Sequence, residues 1–432
     1  MKIGFYGGMA NNTYVVAKRL SEVGVDVVFI RDRMDHYGIS QPSWEDAAFD
    51  MSYEQLNATS GWSSADWSRF ESDIGWVAPA WLVDPITGGG VATPKGLPVR
   101  LGRKEKQYLQ MLPPVEHAGR ILYEMQACDC LFVSSTHALI LALASGRPYF
   151  ICPAGGEFMI AAGLIPGKGS VARTLRVQGS LLRLAFRRTQ AVVTHTPFLM
   201  HKPLVGSYWR LLLDYGRVRF SDLSMPYVPI AEHAPARKRD GLNALLNAAG
   251  AKAISTRFAV FVPSRIDYQW KGQDRILAAL ERTKHRDAFT FVFSGWGSDY
   301  LDFKQRTRAM DNVRLLHCAM SKPKLYAYFQ SSDLVIDQFT LGHYGTSTRE
   351  AISVGTPVMT WVDQSVARFS RAWRPAPIIQ ARDPASIALA LDGIAEGAID
   401  LGQKALDGLA WTRDHASPEH MRDGLAALLR SH

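Results

Sequence analysis

Short, uninterrupted apolar runs alternate with stretches of helical period, and they do so in both halves of the chain. In the first half, "KIGFY", "VDVVFI", "CLFVS", "PYFIC" and "AVVTH" are rich in Val, Ile and Phe and lack polar alternation, as strands covered on both faces require. Helical periodicity lies between several of them, over Thr13–Val23 and Val115–Gln126. In the second half, "FAVFVPS", "FTFVFSG", "NVRLL", "DLVID" and "PVMTW" are separated by helices expected near Gln273–Lys284, Pro323–Gln330 and Thr346–Val354. Strands alternating with crossover helices predict an α/β chain with parallel sheets. A chain of 432 residues is too long for one ordinary core. Two doubly wound domains follow, and ligands of such sheets sit at the carboxyl ends of the strands, so two of them facing each other make a cleft.

The boundary is expected in "PYVPIAEHAPARKRDG", Pro226–Gly241, where proline and charge replace periodicity. This gives a first domain over 1–230, a second over 231–415, and a C-terminal helix over 416–432 that packs back on the first domain. Residues 35–114 break the rhythm with Trp44, Trp62, Trp67, Trp76, Trp81 and "ITGGG", and are longer than an ordinary loop. They are read as an insertion with a small satellite core, which is favoured over an aromatic surface for sugar faces or lipid. A chain with 47% hydrophobic and 21% charged residues has a soluble composition. "MKIGFYGG" reads as a strand and a glycine turn rather than a signal peptide. No window reaches the ~18 apolar residues of a membrane span. Cys128, Cys130, Cys152 and Cys318 are too few and too irregular for a disulfide framework or zinc site, which suits a reducing cytoplasm. The net charge of +9 points to an anionic partner.

Chemistry concentrates in the second half. "FVPSRIDYQWKGQDRILAAL" is a strand, a loop holding Arg265 and Lys271, and a helix start, which together can close over a diphosphate. The competing reading is two solvated surface charges. "FSGWGSDY" ends the next strand with Gly295 and Gly297, which allow a backbone to approach a ligand closely, though glycines also simply make turns. Further on, "LGHYGTSTREAISVGTPVMTW" places Glu350 in an otherwise apolar, tightly turned unit, where an acid needs a salt-bridge partner or a ligand.

This order of motifs over about 257–362 resembles the C-terminal half of retaining glycosyltransferases of family 4, which have the GT-B architecture of two Rossmann-like domains. Over the first half only the strand pattern and the Gly7-Gly8 loop match. The resemblance implies that Arg265 and Lys271 hold the diphosphate of a sugar nucleotide, that Glu350 binds its ribose, and that Gly345, Thr346 and Ser347 offer backbone amides to its phosphates. The family usually carries a second glutamate eight residues before the first; here that position is Gly342. Gln338 and His343 rank above Asp337 as local substitutes; Asp337 equally reads as an ordinary strand-end acid, and His343 as a loop residue packed on the surface. On the acceptor side the family often has a histidine after the strand "CLFVS"; the position falls on Ser134 or Ser135, with His137 slightly later as a substitute or a plain helix start. Gly155, Gly156 and Glu157 of "CPAGGEF" are expected to line the cleft.

The implied reaction moves a sugar from a nucleoside-diphosphate sugar to a glycan or lipid-linked acceptor in bacterial cell-surface polysaccharide or glycoconjugate synthesis. Arg265 and Lys271 would stabilise the leaving diphosphate. No Asp-x-Asp triplet offers a metal-ligand set, and no cofactor is expected besides the substrate. "GSVARTLRVQGSLLRLAFRRTQ", 169–190, interleaves Arg173, Arg176, Arg183, Arg187 and Arg188 with leucines; it suits an anionic membrane surface about as well as a solvated helix flank with its leucines in the core. The expected location is therefore the cytoplasm, with peripheral contact to the inner face of the cell membrane. Two other classes compete: a non-catalytic GT-B protein that binds a nucleotide or glycan, permitted by Gly342, and an epimerase, for which no set of acids and histidines stands out. Nothing resembles a nucleic-acid-binding motif.

Overall fold

The computed structural model describes residues 1–7, 11–31, 38–85, 115–152, 156–161, 169–193, 220–221, 231, 239–364 and 374–430. The strands among them are β1 (Lys2–Tyr6), β2 (Asp26–Ile30), β3 (Asp50–Ser52), β4 (Leu82–Val83), β5 (Cys130–Val133), β6 (Tyr149–Ile151), β7 (Ala191–Val193), β8 (Phe220–Ser221), β9 (Phe258–Val262), β10 (Phe289–Ser294), β11 (Val313–Leu316), β12 (Cys318–Met320), β13 (Leu334–Ile336), β14 (Val358–Thr360) and β15 (Ile379–Gln380).

Two parallel sheets carry the fold. The first has the order β4-β2-β1-β5-β6-β7-β8 and the second β11-β10-β9-β13-β14-β15. Every residue of β5, β9 and β10 is buried, which is why those segments are continuous apolar runs: helices cover both faces. One face of the second sheet packs on helices Gln273–Leu280 and Pro384–Ala395 through Ile276, Leu280 and Leu391, and the other on Lys322–Ser331 and Thr346–Ser353 through Phe329, Ala351 and Ile352. In both sheets the strand order reverses once, between β1 and β5 and between β9 and β13. At such a reversal neighbouring connections diverge to opposite faces and leave a crevice at the carboxyl ends.

The boundary stretch 226–241 lies outside the described residues except for Ala231, Arg239, Asp240 and Gly241. Helix Pro418–Arg430 returns to the first domain, where Met421 and Leu425 are buried in one cluster with Tyr14, Val16 and Leu20 of helix Asn12–Glu22.

The stretch read as one insertion at 35–114 divides in two. Leu82–Val83 is the edge strand of the first sheet, paired with β2. A two-residue strand has too short a pattern to stand out among tryptophans. Residues 38–76 do form a satellite core, of Trp44, Phe49, Met51, Leu56 and Trp67, and Ala319 of the second domain completes it. Strand β3 pairs antiparallel with β12, Asp50 opposite Met320 and Ser52 opposite Cys318. Phe49 and Ser321 extend that ladder at one end: the Phe49 amide donates to Ser321 Oγ at 2.9 Å and the Ser321 amide to the Phe49 carbonyl at 3.1 Å. Lys324 pairs with Asp50, and the rings of Tyr53 and Tyr300 pack tilted at 37° with centroids 4.9 Å apart. A segment of the first half of the chain is thus bound edge to edge to the second domain.

Candidate functional site

The loop after β9 is shaped by a side chain with no exposure. Gln273, the first residue of helix Gln273–Leu280, accepts from the Asp267 amide at 3.1 Å and donates to the Arg265 carbonyl at 2.7 Å and to Ser264 Oγ at 3.3 Å. Asp267 turns the loop further: its carbonyl accepts from the Lys271 amide at 2.7 Å and its carboxylate from the Trp270 amide at 3.0 Å. Gly272, at φ 79°, supplies the left-handed step into the helix. Arg265 and Lys271 are brought to one side by this turn. Arg265 Nε donates to Asp267 at 3.1 Å, and Lys271 Nζ to Gln338 Oε1 at 3.2 Å.

Across the reversal point, the loop after β13 leads into helix Thr346–Ser353. Asp337, 1% exposed, accepts from Thr348 Oγ1 at 2.7 Å and braces the helix from beneath. Gly345 has no alternative, because a Cβ there would lie 2.1 Å from the Asp337 carboxylate. Gly345 caps the helix without a side-chain bond, so first-turn amides face the crevice with Thr346 and Ser347. Gln338 is fully buried; it positions Lys271 on one side and donates to the His343 carbonyl at 2.7 Å on the other. His343 Nδ1 sits 2.9 Å from the Tyr344 carbonyl. Both residues therefore shape the loop. Gly342, where the resemblance leaves a gap, is a turn at φ +71° whose Cβ would sit 3.0 Å from the Trp361 ring, so a side chain there would strain the backbone and press on that ring.

Glu350 has a partner and still offers an acceptor. It is 1% exposed; Lys322 Nζ donates to Oε1 at 2.6 Å, Tyr326 Oη approaches the same oxygen at 3.5 Å, and Oε2 has no partner among the described residues. Lys322 was not singled out from the sequence. The available signal was its position: a cation on the first turn of a helix, here Lys322–Ser331, opposes the helix dipole and is placed there for another reason. Glu45, on the short helix Ser43–Asp46 of the insertion, is the second missed residue. It is 6% exposed, and burial pushes its carboxyl up to about 8, with Lys322 opposing and Glu350 adding to the rise. Burial pulls Lys322 down, but Glu350 and Glu45 together hold it above its ordinary value.

A cleft with a cavity volume of about 180 Å³ lies over these elements. Arg265, Lys271, Lys322, Ser264, Thr346 and Ser347 form its polar wall, and Ile39, Trp44, Met320 and Leu325 its apolar one. The glycine loop after β10 reaches it through Trp296, while the glycines serve the protein itself: a Cβ at Gly295 would meet the Leu316 carbonyl at 1.9 Å, and one at Gly297 the Ile266 backbone at 2.4 Å.

Residues 249–401, which contain this polar wall, match the family model of glycosyl transferases group 1. Over that stretch the second domain is similar to group 1 glycosyltransferases. No curated protein sequence matches the chain significantly. Among solved structures, sucrose-phosphate synthase of Thermosynechococcus elongatus aligns with a TM-score of 0.61 at 12% identity, over 100% of this chain and 98% of that one. HepE of Anabaena, solved with UDP and glucose, aligns at 0.58 and 14% over 100% of both chains. The catalytic domain of starch synthase IV of Arabidopsis thaliana, bound to ADP and acarbose, aligns at 0.58 and 14%, over 100% and 99%. Both sheets therefore form a GT-B fold.

On the first domain, Gly7 and Ser134 meet at the β1/β5 reversal: a Cβ on Gly7, at φ 73°, would lie 2.1 Å from the Ser134 carbonyl. Ser135 takes φ 89° and ψ 155°, a region that non-glycine residues rarely enter, and caps helix Thr136–Ser145 through the Ala138 amide at 3.4 Å. His137 follows on that helix beside Tyr6, and burial pushes its imidazole down to about 4, so it is neutral at pH 7. Gly156 starts the short helix Gly156–Ala161, and Glu157 on it is 2% exposed. Burial first, then Glu157, pushes the Cys152 thiol up to about 12 against a pull from Arg349. Gly8 and Gly155 lie outside the described residues. Helix Gly169–Arg188 buries Leu181, Leu182, Ala185 and Phe186 in the first domain's core, Gly179 rests against the Ile160 carbonyl, and Arg183 donates to the Ala161 carbonyl at 2.6 Å; Arg176, Arg187 and Arg188 face outward. No helix of the described residues is long and apolar enough to cross a membrane.

Proposed function

We propose that this protein transfers a hexose from a nucleoside-diphosphate sugar to a glycan or lipid-linked acceptor in bacterial cell-surface polysaccharide or glycoconjugate synthesis, with retention and without a metal. The observation that carries the reading is the meeting of Arg265 and Lys271 with the uncapped amino end of helix Thr346–Ser353 at the β9/β13 reversal. Two cations and a helix terminus converge where a diphosphate would lie, and they can take up the negative charge that grows on it as the glycosidic bond breaks. HepE binds UDP and glucose and starch synthase IV binds ADP, which supports a nucleotide in this cleft. WaaB, a lipopolysaccharide outer core galactosyltransferase that aligns at a TM-score of 0.52 and 11% identity, supports a cell-surface acceptor.

The acceptor would enter from the first domain, past Ser134, Ser135 and His137. With Leu181 and Leu182 buried, helix Gly169–Arg188 would meet an anionic membrane through its outward-facing Arg176, Arg187 and Arg188, so cosedimentation with anionic vesicles should be lost at high salt. Calorimetry with UDP, GDP, ADP and their sugars tests the donor; nuclear magnetic resonance of the product's anomeric proton then reads retention. Binding of none of these nucleotides sinks the proposal, and binding without transfer to any acceptor leaves a non-catalytic GT-B protein.

A further inference from the structure

We infer that the second domain carries a second anion site, which takes a small organic phosphate into a cationic cavity between helix Tyr300–Thr307 and strand β11. The cavity has a volume of about 590 Å³, the size of an ordinary small-molecule site, and shares no lining residue with the cleft of Arg265 and Lys271.

Basic side chains from separate elements meet there. Lys304 and Arg308 follow Leu301 at helical spacing on one face, Arg314 lies on β11, His317 just past it, and Lys252 in the loop after helix Arg239–Ala248. No carboxylate lines the cavity, and Lys252, Lys304, Arg308 and Arg314 form no ion pair among the described residues. Glu54 acts on Lys304 and His317 from outside it, one acid against four permanent cations. A concave surface lined by one sign of charge focuses its field and draws in a counter-ion.

Arg314 distinguishes a built site from a patch of solvated cations. Its Nε donates to the Lys252 carbonyl at 3.0 Å, and one terminal nitrogen donates to the Asp311 and Val313 carbonyls at 2.6 and 3.1 Å. Carbonyls fix the guanidinium plane without cancelling its charge, and the other terminal nitrogen has no partner among the described residues. A guanidinium already held in plane loses little freedom on meeting a phosphate. His317 is oriented too, by the Tyr300 hydroxyl 2.7 Å from Nδ1, which leaves Nε2 for a ligand. Burial first, then the Lys304 charge, holds that imidazole below its ordinary value; the second cause is the positive field of the cavity acting on its own wall. Leu301, 65% exposed, joins Val313 and Leu315 as an apolar wall. An inorganic ion would leave that wall in water, whereas the carbon part of an organic phosphate covers it. The concave shape suits a free ligand rather than a flat bilayer surface.

The test is calorimetry on the full chain with inorganic pyrophosphate, inorganic phosphate and glucose 1-phosphate. Pyrophosphate should titrate both the cleft and this cavity. Arg265→Ala with Lys271→Ala should leave the cavity titrating, and there Lys304→Gln with Arg308→Gln, both exposed positions, should weaken pyrophosphate at least about tenfold. Arg282→Gln with Lys284→Gln removes the same charge from exposed positions elsewhere on the domain and should change that affinity by less than about twofold. In the same background glucose 1-phosphate should bind more tightly than inorganic phosphate; the reverse order overturns the organic ligand. An equal loss in both double Gln variants overturns the site, since net charge alone would then explain it. A single pyrophosphate site lost with Arg265 and Lys271 overturns it as well and leaves the donor reading standing, whereas a single site lost with Lys304 and Arg308 upholds it and counts against the donor reading. Cosedimentation with phosphatidic-acid vesicles separates the sources of phosphate: Lys304→Gln with Arg308→Gln should sediment as the native protein does. Loss of vesicle binding in that variant, with soluble phosphates unaffected, overturns the free ligand in favour of a lipid headgroup.

Discussion

Arg265 and Lys322 both line the cleft, one on the loop after β9 and the other on the first turn of helix Lys322–Ser331. The Arg265 side chain is 42% exposed, and its partner Asp267 lies two residues away in the same loop. The Lys322 side chain is 15% exposed and is bonded to Glu350, itself buried, 28 residues away. An exposed pair of this kind contributes little to stability and leaves its cation available to a ligand. A buried cation bonded to a buried carboxylate is part of the structure, because removing it strands a charge that water cannot reach. Two cations on one wall are thus bound to different tasks: Arg265 can be turned toward a phosphate, while Lys322 sets the position and charge of the acids behind it.

Replacing Lys322 should show the largest effect. Lys322→Met keeps length and loses the ammonium, leaving the buried Glu350 uncompensated, and should destabilise the fold by about 3–5 kcal/mol in urea titration. Adding Glu350→Gln to that variant should recover a substantial part of the loss. A Lys322→Met protein as stable as the native one would place Lys322 with the surface cations and dissolve the contrast.

Arg265 should behave in the opposite way. Arg265→Ala should change stability by no more than about 0.5 kcal/mol and yet weaken nucleoside-diphosphate binding by about 1.5–3 kcal/mol, the range for a charge-assisted bond. Lys271→Ala should weaken binding similarly and lose slightly more stability, since Gln338 loses a partner in the buried loop. Equal stability losses in Arg265→Ala and Lys322→Met would show that exposure does not separate the two cations.

How much of this was legible in the sequence follows the range of the interactions. Both sheets were legible, because strands such as Phe258–Val262 declare burial on both faces by their unbroken apolar runs. The basic loop was legible as well: Arg265, Lys271 and the helix start at Gln273 are contiguous in the chain. Glu350 was legible as an acid in need of a partner, but not which one, since Lys322 lies on another helix and reaches it only in the fold. The glycines carried a different message from the one read. Gly295 and Gly297 fit their own backbone neighbours, and Gly342 fits Trp361. Glu45 was the least legible, because nothing in an aperiodic stretch predicts that β3 docks on β12 and carries it beneath the second domain.

The smallest expected effect concerns that same acid and is a matter of pH. Burial raises Glu45 from 4.5 to about 8 in the folded protein, with Lys322 opposing and Glu350 and Asp46 adding to the rise. Between those two values the folded chain keeps a proton that the unfolded chain has released. Stability from this group is therefore fully present below about 4.5, declines as pH rises through the interval, and is gone above 8. The slope cannot exceed about 1.4 kcal/mol per pH unit. His137 works with the other sign, since burial lowers it from 6.5 to about 4 and its neutral form stabilises the fold as pH rises across that interval. Both proteins contain His137, so the difference between native and Glu45→Gln isolates the acid. Urea midpoints taken at pH 5, 6, 7 and 8 should fall more steeply in the native protein than in Glu45→Gln. Parallel curves would mean that Glu45 is ionised throughout, so that Lys322 holds two full negative charges, and the contrast between a cation committed to the structure and one free for a ligand would be sharper still.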